Sequence, residues 1–393
     1  MQQALMQTYG RLPVSFQRGE GAWLWDDQGN RYLDALSGIA VCGLGHAHPA
    51  VTAAIQKQAA RLLHTSNLYG IPLQEHLAAA LCAHSGMGKV FFCNSGAEAN
   101  EAAIKLARFH GHQRGLDVPK IVVMENAFHG RTMATLTATG NRKAQQGFGP
   151  LLEGFVRIPY DDLKALDKLA TTHDDIIAVL VEPVQGEGGI RVPGPDYLPG
   201  LRDRCDEHGW LLMLDEVQSG MARTGRWFAY QHADVLPDVL SLAKGLANGV
   251  PIGACLARGA AANVMQPGSH GSTFGGNPLA AAAAQAVVDT IAKQSLTARA
   301  AQLGQRLLVG FRDALESHSG VVDVRGRGLM IGIELDRPCA ELVKHALERG
   351  LLINVTAGNV IRLLPPLILS DAEADELLER VNDLVLGFLA EGT

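Results

Sequence analysis

The chain has 393 residues, with 34 lysines and arginines against 40 aspartates and glutamates, giving a formal net charge of −6. That length suits two domains or one large α/β unit, and the mild acidic excess, with no basic patch or stripe, argues against a nucleic-acid footprint. The longest apolar run, around 279–288, is mostly alanine interrupted by Gln285, which suits a buried helix and not a membrane span.

The opening stretch, Met1-Gln2-Gln3-Ala4-Leu5-Met6-Gln7, has no basic segment leading into a long apolar one, so no signal peptide is expected. Residues 21–34 (GAWLWDDQGNRYLD) alternate around Asp27-Gln28-Gly29-Asn30, the pattern of a hairpin. Strands are then expected at 90–93, 121–124, 177–181, 211–214, 239–242 and 252–257, with helices between many of them, as at 98–110 and 197–208. Several of these runs are apolar throughout, as strands covered on both faces are. The β-α-β-α order implies an α/β fold with a largely parallel sheet wrapped by helices. Beyond it, a long helix at 294–317 bridges to an α+β module with strands at 328–335 and 360–363. The six cysteines, Cys42, Cys82, Cys93, Cys205, Cys255 and Cys339, form no C-x-x-C pair and have no zinc-finger spacing with histidine. They read as small buried residues in a reducing, cytosolic compartment, with no metal site expected.

Ligands of such sheets bind beyond the carboxyl ends of the strands, and the polar residues there are unusual. Asn94-Ser95-Gly96-Ala97-Glu98-Ala99-Asn100 follows a strand and opens a helix; Ser95 suits an N-cap, and the small residues leave backbone N–H groups open to a phosphate, although taken alone the stretch is more often an ordinary capped helix. Four apolar residues at 211–214 run into Asp215-Glu216-Val217-Gln218. A carboxylate at a buried strand end needs a cation, either a protonated pyridine nitrogen or a metal, unless the end is exposed. Lys244 closes another apolar strand in Ser241-Leu242-Ala243-Lys244-Gly245. An apolar site favours its neutral, nucleophilic amine, whereas at the surface it would merely snorkel. In Phe128-His129-Gly130-Arg131-Thr132 the aromatic suits stacking on a flat ring and Arg131 suits a bidentate carboxylate clamp; a core phenylalanine, a surface arginine and a structural His129 are the alternatives. Glu187 lies in the glycine-rich loop after Glu182-Pro183-Val184-Gln185-Gly186, and Gly271-Ser272-Thr273-Phe274-Gly275-Gly276-Asn277-Pro278 is another such loop. Arg362 sits among apolar residues, where a buried guanidinium needs an acidic partner or substrate. Together these are the parts of a pyridoxal-phosphate enzyme acting on amino acids.

At these residues, and from Tyr9-Gly10-Arg11-Leu12-Pro13-Val14 to Arg362-Leu363-Leu364-Pro365-Pro366, the chain resembles the class III, ornithine-aminotransferase-like pyridoxal-phosphate enzymes of fold type I. The resemblance implies a large domain with a mostly parallel seven-stranded sheet over 51–293, a smaller α+β domain over 294–393, and an N-terminal segment, 1–50, packing with the small domain. It implies that Lys244 holds the cofactor covalently and moves the proton between the α-carbon and the cofactor. Asp215 then pairs with the ring nitrogen, Gln218 contacts the ring hydroxyl, and Glu216 and Val217 belong to the same cofactor-binding stretch. Ser95, Gly96 and Ala97 hold the phosphate, Phe128 stacks on the ring, and Thr273 reaches the phosphate of the neighbouring subunit in a homodimer.

Within the family, Thr8-Tyr9-Gly10-Arg11-Leu12-Pro13-Val14 and Leu36-Ser37-Gly38-Ile39-Ala40-Val41 are similar to the subgroup that acts on N-acetylornithine and 2-oxoglutarate. Ile39 departs from the tyrosine that ornithine-specific members tend to carry there. The resemblance implies that Arg131 binds the α-carboxylate and that Ser272 lies near the substrate. Glu187 is expected to pair with Arg362 while the diamino acid is bound, then to swing away so that Arg362 takes the far carboxylate of 2-oxoglutarate. Succinyldiaminopimelate, succinylornithine, ornithine and GABA are rival donors, and aminomutase or racemase chemistry is a more distant alternative. A non-catalytic binding protein would be expected to lack Lys244 or Asp215. A Rossmann dehydrogenase would need G-x-G-x-x-G after the first strand, which is missing.

Overall fold

The computed structural model describes residues 4–391, so residues 1–3 of the stretch read for a leader lie outside it. At its centre is a seven-stranded sheet in the order Lys89–Cys93, Gly253–Ala257, Val239–Leu242, Leu211–Asp215, Ile176–Val181, Lys120–Met124, Phe155–Ile158. Gly253–Ala257 runs antiparallel to both its neighbours, and every other pair is parallel. Six of these strands match the expected ones to within one residue at each end. Phe155–Ile158 is an addition: a four-residue edge strand with Arg157 exposed, too short and too polar to show the apolar signature of its neighbours.

Both faces of the sheet are covered, which is why its central strands are apolar without alternation. Ile121 and Val123 point to one side, where they cluster with Ala103, Ile104 and Ala107 of the helix Gly96–Gln113. Val122 and Met124 point to the other, among Leu166, Leu198 and Leu201 of the helices Leu163–Ala170 and Tyr197–His208. Burial of each such side chain contributes about 1.5–3 kcal/mol.

The alanine-rich run forms the helix Pro278–Lys293, capped by Asn277, whose side chain accepts from the Ala280 amide. Its small residues let it pack closely on Pro49–Ala59 and Pro72–Ser85. The chain breaks at Ser295 (φ 51°), and the expected long helix is Leu296–Leu315. It leads to a four-stranded antiparallel sheet ordered Val321–Arg327, Met330–Leu335, Val360–Leu363, Asn354–Thr356. The strand expected from residue 328 starts at Met330, because Gly328 (φ 56°) and Leu329 form the tight turn of a hairpin. Trp23–Asp26 and Arg31–Asp34 form the hairpin read at 21–34, with Phe16–Glu20 on its outer edge. Arg31–Asp34 also pairs in parallel with Leu351–Leu352. Asp26 closes the hairpin turn, accepting from the amides of Gln28 and Asn30 and from Tyr32 Oη. All six cysteines are free. Among the described residues, no helix is long and apolar enough to cross a membrane.

Candidate active site

The six parallel strands deliver their carboxyl ends to one edge of the sheet, and the antiparallel Gly253–Ala257 starts there. Around that edge lies a cavity of about 370 Å³, lined among others by Ser95, Phe128, Glu182, Asp215, Gln218 and Lys244.

Asp215 ends its strand only 4% exposed. One carboxylate oxygen, Oδ2, accepts from Asn100 Nδ2 at 2.7 Å and lies 2.8 Å from His129 Nδ1. The other, Oδ1, accepts from the Val217 amide at 3.0 Å. Three donors orient this carboxylate, and among the described residues no lysine or arginine pairs with it, so it is placed to balance a positive group entering the cavity.

At another side of the cavity, the helix Gly96–Gln113 begins. Ser95 caps it, Oγ accepting from the Glu98 amide at 3.2 Å, and the Ala99 amide reaches the Ser95 carbonyl. The Gly96 and Ala97 amides precede any intrahelical acceptor, and with the helix dipole they favour an anion. Gly96 is required by space: a Cβ there would stand 2.6 Å from Val217 Cγ1. An anion cradle and a buried carboxylate thus flank one cavity, the arrangement that a phosphate-bearing cationic ring such as pyridoxal phosphate fits.

Lys244 follows Val239–Leu242 and faces the same cavity with its backbone in the left-handed region (φ 44°). For a side chain with a Cβ this costs about 1–2 kcal/mol, so the surrounding packing holds the lysine in place. Burial lowers its pKa, and Arg362 lowers it further, against the opposing pull of Glu187, Asp215 and Glu182. The site therefore favours the amine that attacks an aldehyde.

Phe128 lines the cavity, and Arg131 extends from the same loop to its rim. The Arg131 guanidinium lies 5.7 Å from the Phe128 ring centre and, among the described residues, has no carboxylate partner. Arg362 is 1% exposed, and its Nη1 pairs with Glu187 Oε1 at 2.6 Å across 175 residues of sequence. Its Nε donates to Asn354 Oδ1, and Nη1 lies 3.4 Å from Gln218 Oε1, which links this pair to the cavity wall.

Three expected residues lie elsewhere. Ser272 and Thr273 do not line this cavity. Ser272 Oγ accepts from Asn94 Nδ2 at 3.2 Å and from the Gly275 amide at 3.0 Å, while Thr273 is exposed on the loop between them. Glu216 is expected in the cofactor-binding stretch, and its side chain points out of this cavity. Its carboxylate turns away, accepting from the amides of Ala229 and Tyr230 and from Ser219 Oγ, and burial pushes it up to about 7. Conversely, Asn100 and Glu182, to which motif spacing assigned no role, and His129, read as structural, stand in the cavity wall. Glu182 had a legible signal, since it follows the apolar strand Ile176–Val181 as Asp215 ends its own.

The chain matches the family model described as Aminotransferase class-III over residues 5–385. It is 59% identical over 385 residues to the acetylornithine aminotransferase of Nitrosomonas europaea, covering 98% of each chain. It is 56% identical to acetylornithine aminotransferase 1 of Bordetella bronchiseptica, covering 100% of both. Among solved structures, the ornithine aminotransferase of Toxoplasma gondii superposes with a TM-score of 0.95 at 36% identity, over 99% of this chain and 94% of that one. The N-acetylornithine aminotransferase of Stenotrophomonas maltophilia gives a TM-score of 0.85 at 37% identity, over 98% of each. A second structure of the Toxoplasma enzyme is described as holding PLP in partial occupancy at its active site.

Proposed function

The chain belongs to the class-III aminotransferase family, and from that premise we propose that it transfers the distal amino group of N2-acetyl-L-ornithine to 2-oxoglutarate. The products are N-acetylglutamate 5-semialdehyde and L-glutamate, formed in two half-reactions at one site, as a step of arginine biosynthesis. The observation that carries this substrate is the end-to-end identity with relatives named for that activity.

Pyridoxal phosphate, when bound, supplies a cationic ring that draws electrons from the carbon losing its proton. Ser95 and the amides of Gly96 and Ala97 would hold its phosphate, Asp215 would balance the ring nitrogen, Phe128 would stack on the ring, and Gln218 would meet the ring hydroxyl. Lys244 Nζ would hold the aldehyde carbon and move the proton at the substrate carbon that bears the amine. Arg131 takes the substrate α-carboxylate at the cavity rim. With the acylated donor bound, Glu187 neutralises Arg362. When 2-oxoglutarate follows, Glu187 gives way and Arg362 takes the far carboxylate. Thr273 and Ser272 serve the site of a second copy in a homodimer, which fits their place outside this chain's own cavity. The cytoplasm is the compartment that suits six free thiols.

The test is glutamate formation from 2-oxoglutarate with N-acetylornithine, N-succinylornithine, N-succinyldiaminopimelate, ornithine and GABA in parallel. The highest kcat/KM is expected for N-acetylornithine. Another donor ahead by about tenfold, a difference of about 1.4 kcal/mol, would overturn the substrate and leave the family membership intact.

A further inference from the structure

The loop that carries Phe128 and the loop that carries Glu187 come from different strands, yet one side chain joins them. Glu182, 5% exposed and in the cavity wall, accepts from the Phe128 amide through Oε2 at 3.0 Å. Its other oxygen, Oε1, accepts from the Gly186 amide at 3.2 Å. A carboxylate is the side chain suited to this place, because its oxygens are acceptors only and both facing groups are donors. Burial disfavours its charge; the nearby His129 and the two amides favour it, while Asp215 opposes them.

The surroundings make this bridge consequential. Gly186 lies directly against Gln218, where a Cβ would meet Gln218 Oε1 at 2.4 Å. Gln218 in turn approaches Arg362, the partner of Glu187. The base of the same loop is fixed by backbone bonds between Gln185 and Arg191, and its far end by Arg325, which donates to the carbonyls of Gly189 and Ile190. Between those anchors, Glu182 sets the height of Gly186, and hence of Glu187, relative to the Phe128 platform.

We propose that Glu182 is a positioning residue of the reaction: one carboxylate holds the aromatic platform and the loop of the Glu187–Arg362 pair in a single relative geometry. It acts through Phe128 and Glu187. The inference rests on the proposed transamination, since it assigns Glu187 a part in choosing between donor and acceptor.

Two variants of the holoenzyme test it. Glu182→Ala removes both acceptors. Glu182→Gln keeps one and sets an amide donor against the other N–H. A hydrogen bond to a charged group corresponds to roughly a tenfold or larger change in rate, so kcat should fall about tenfold in Glu182→Ala. Its visible circular dichroism, which reports the ring's setting on Phe128, should shrink. The KM for N-acetylornithine should rise several-fold while that for 2-oxoglutarate changes less than about twofold, because a loosened Glu187 leaves Arg362 unneutralised for the donor only. In a Glu187→Gln background, Glu182→Ala should add no further change in donor KM. Glu182→Gln should show one of the two signatures, in the dichroism or in the donor KM.

Wild-type kcat, dichroism and KM values in both variants would overturn the proposal. So would a lowered melting temperature with those per-site values unchanged, or full additivity with Glu187→Gln. If neither variant folds, hydrogen exchange on the wild-type holoenzyme decides. Slow exchange at both the Phe128 and Gly186 amides is required, and fast exchange at either removes the bridge. A wrong donor would appear in the wild-type enzyme itself, before any variant is compared.

Discussion

Replacing Asp215 with asparagine keeps the shape of the cavity floor and removes its charge. The structure indicates how well the fold absorbs this. Oδ1 still accepts from the Val217 amide, but the new amide nitrogen at the Oδ2 position would face Asn100 Nδ2 and His129 Nδ1, at 2.7 and 2.8 Å in the native chain. The neighbours adapt only in part. His129 Nε2 is buried without a hydrogen-bond partner and can carry the ring proton, but Asn100 Nδ2 also donates to the His129 carbonyl, so turning the Asn100 oxygen towards position 215 would break that bond. The expected loss of stability is therefore about 1–3 kcal/mol, that of buried polar groups partly unpaired. Catalysis should lose more. Removing the partner of a buried charge costs about 3–5 kcal/mol, which, if it falls on the transition state, slows the step by about two to four decades. The assay is rapid mixing of the Asp215→Asn holoenzyme with N-acetylornithine, following decay of the cofactor's visible band in a single turnover, with cofactor content measured separately. A rate within tenfold of wild type at full occupancy would refute the pairing of Asp215 with the ring.

Glu187→Ala should lower kcat/KM for N-acetylornithine by about tenfold or more, since it strips a buried guanidinium of its partner, and should spare the half-reaction with 2-oxoglutarate; both half-reactions at full rate would dismiss the switch. Mixing Lys244→Ala and Thr273→Ala chains should restore activity above the sum of the parents, towards about a quarter of wild type for random pairing of two-fold dimers, and no recovery after subunit exchange would place Thr273 outside the partner's site. Stability should also respond to pH through His46, whose Nε2 lies 2.8 Å from Asp34. Burial works against its charge, but bonding to Asp34 and Cys42 outweighs this and raises its pKa from 6.5 to about 9. The folded state thus holds this proton more tightly than the unfolded one, so up to about 3 kcal/mol is present below pH 6.5 and is lost as pH rises through 9. The melting-temperature gap between wild type and His46→Gln should therefore close between pH 6 and 10, and a gap that widens would contradict the assignment.

The parts of the site legible in the sequence share one pattern. Asp215 and Lys244 each interrupt or follow an apolar strand, and a charge there has to be explained by a partner. Glu182 obeys the same rule, but its carboxylate serves two backbone amides, which no residue pattern records. Glu216 carries the same signal as Asp215 one position earlier, yet it points to the opposite side, where the Ala229 and Tyr230 amides receive it. Adjacent residues at a strand end face different surroundings, and only the fold says which faces the cavity. In the C-terminal module, Val321–Arg327 escaped notice because it carries Asp323, Arg325 and Arg327. Asp323 and Arg325 form an ion pair there, and Arg325 also pairs with Glu334 of the next strand. These charges mask the strand's periodicity. The Glu187–Arg362 pairing is expected from the chemistry of the two substrates, but with 175 residues of sequence between the partners its geometry, and the Gln218 contact that ties it to the cavity, come only from the fold.

The most direct test of the whole account is the visible spectrum of the purified protein through one catalytic cycle. The account predicts a yellow band from the cofactor held on Lys244, bleaching when N-acetylornithine is added and returning when 2-oxoglutarate follows. A yellow band indifferent to N-acetylornithine would contradict the proposed donor. A protein that stays colourless with added pyridoxal phosphate would contradict the role given to Lys244 and to the cavity around it.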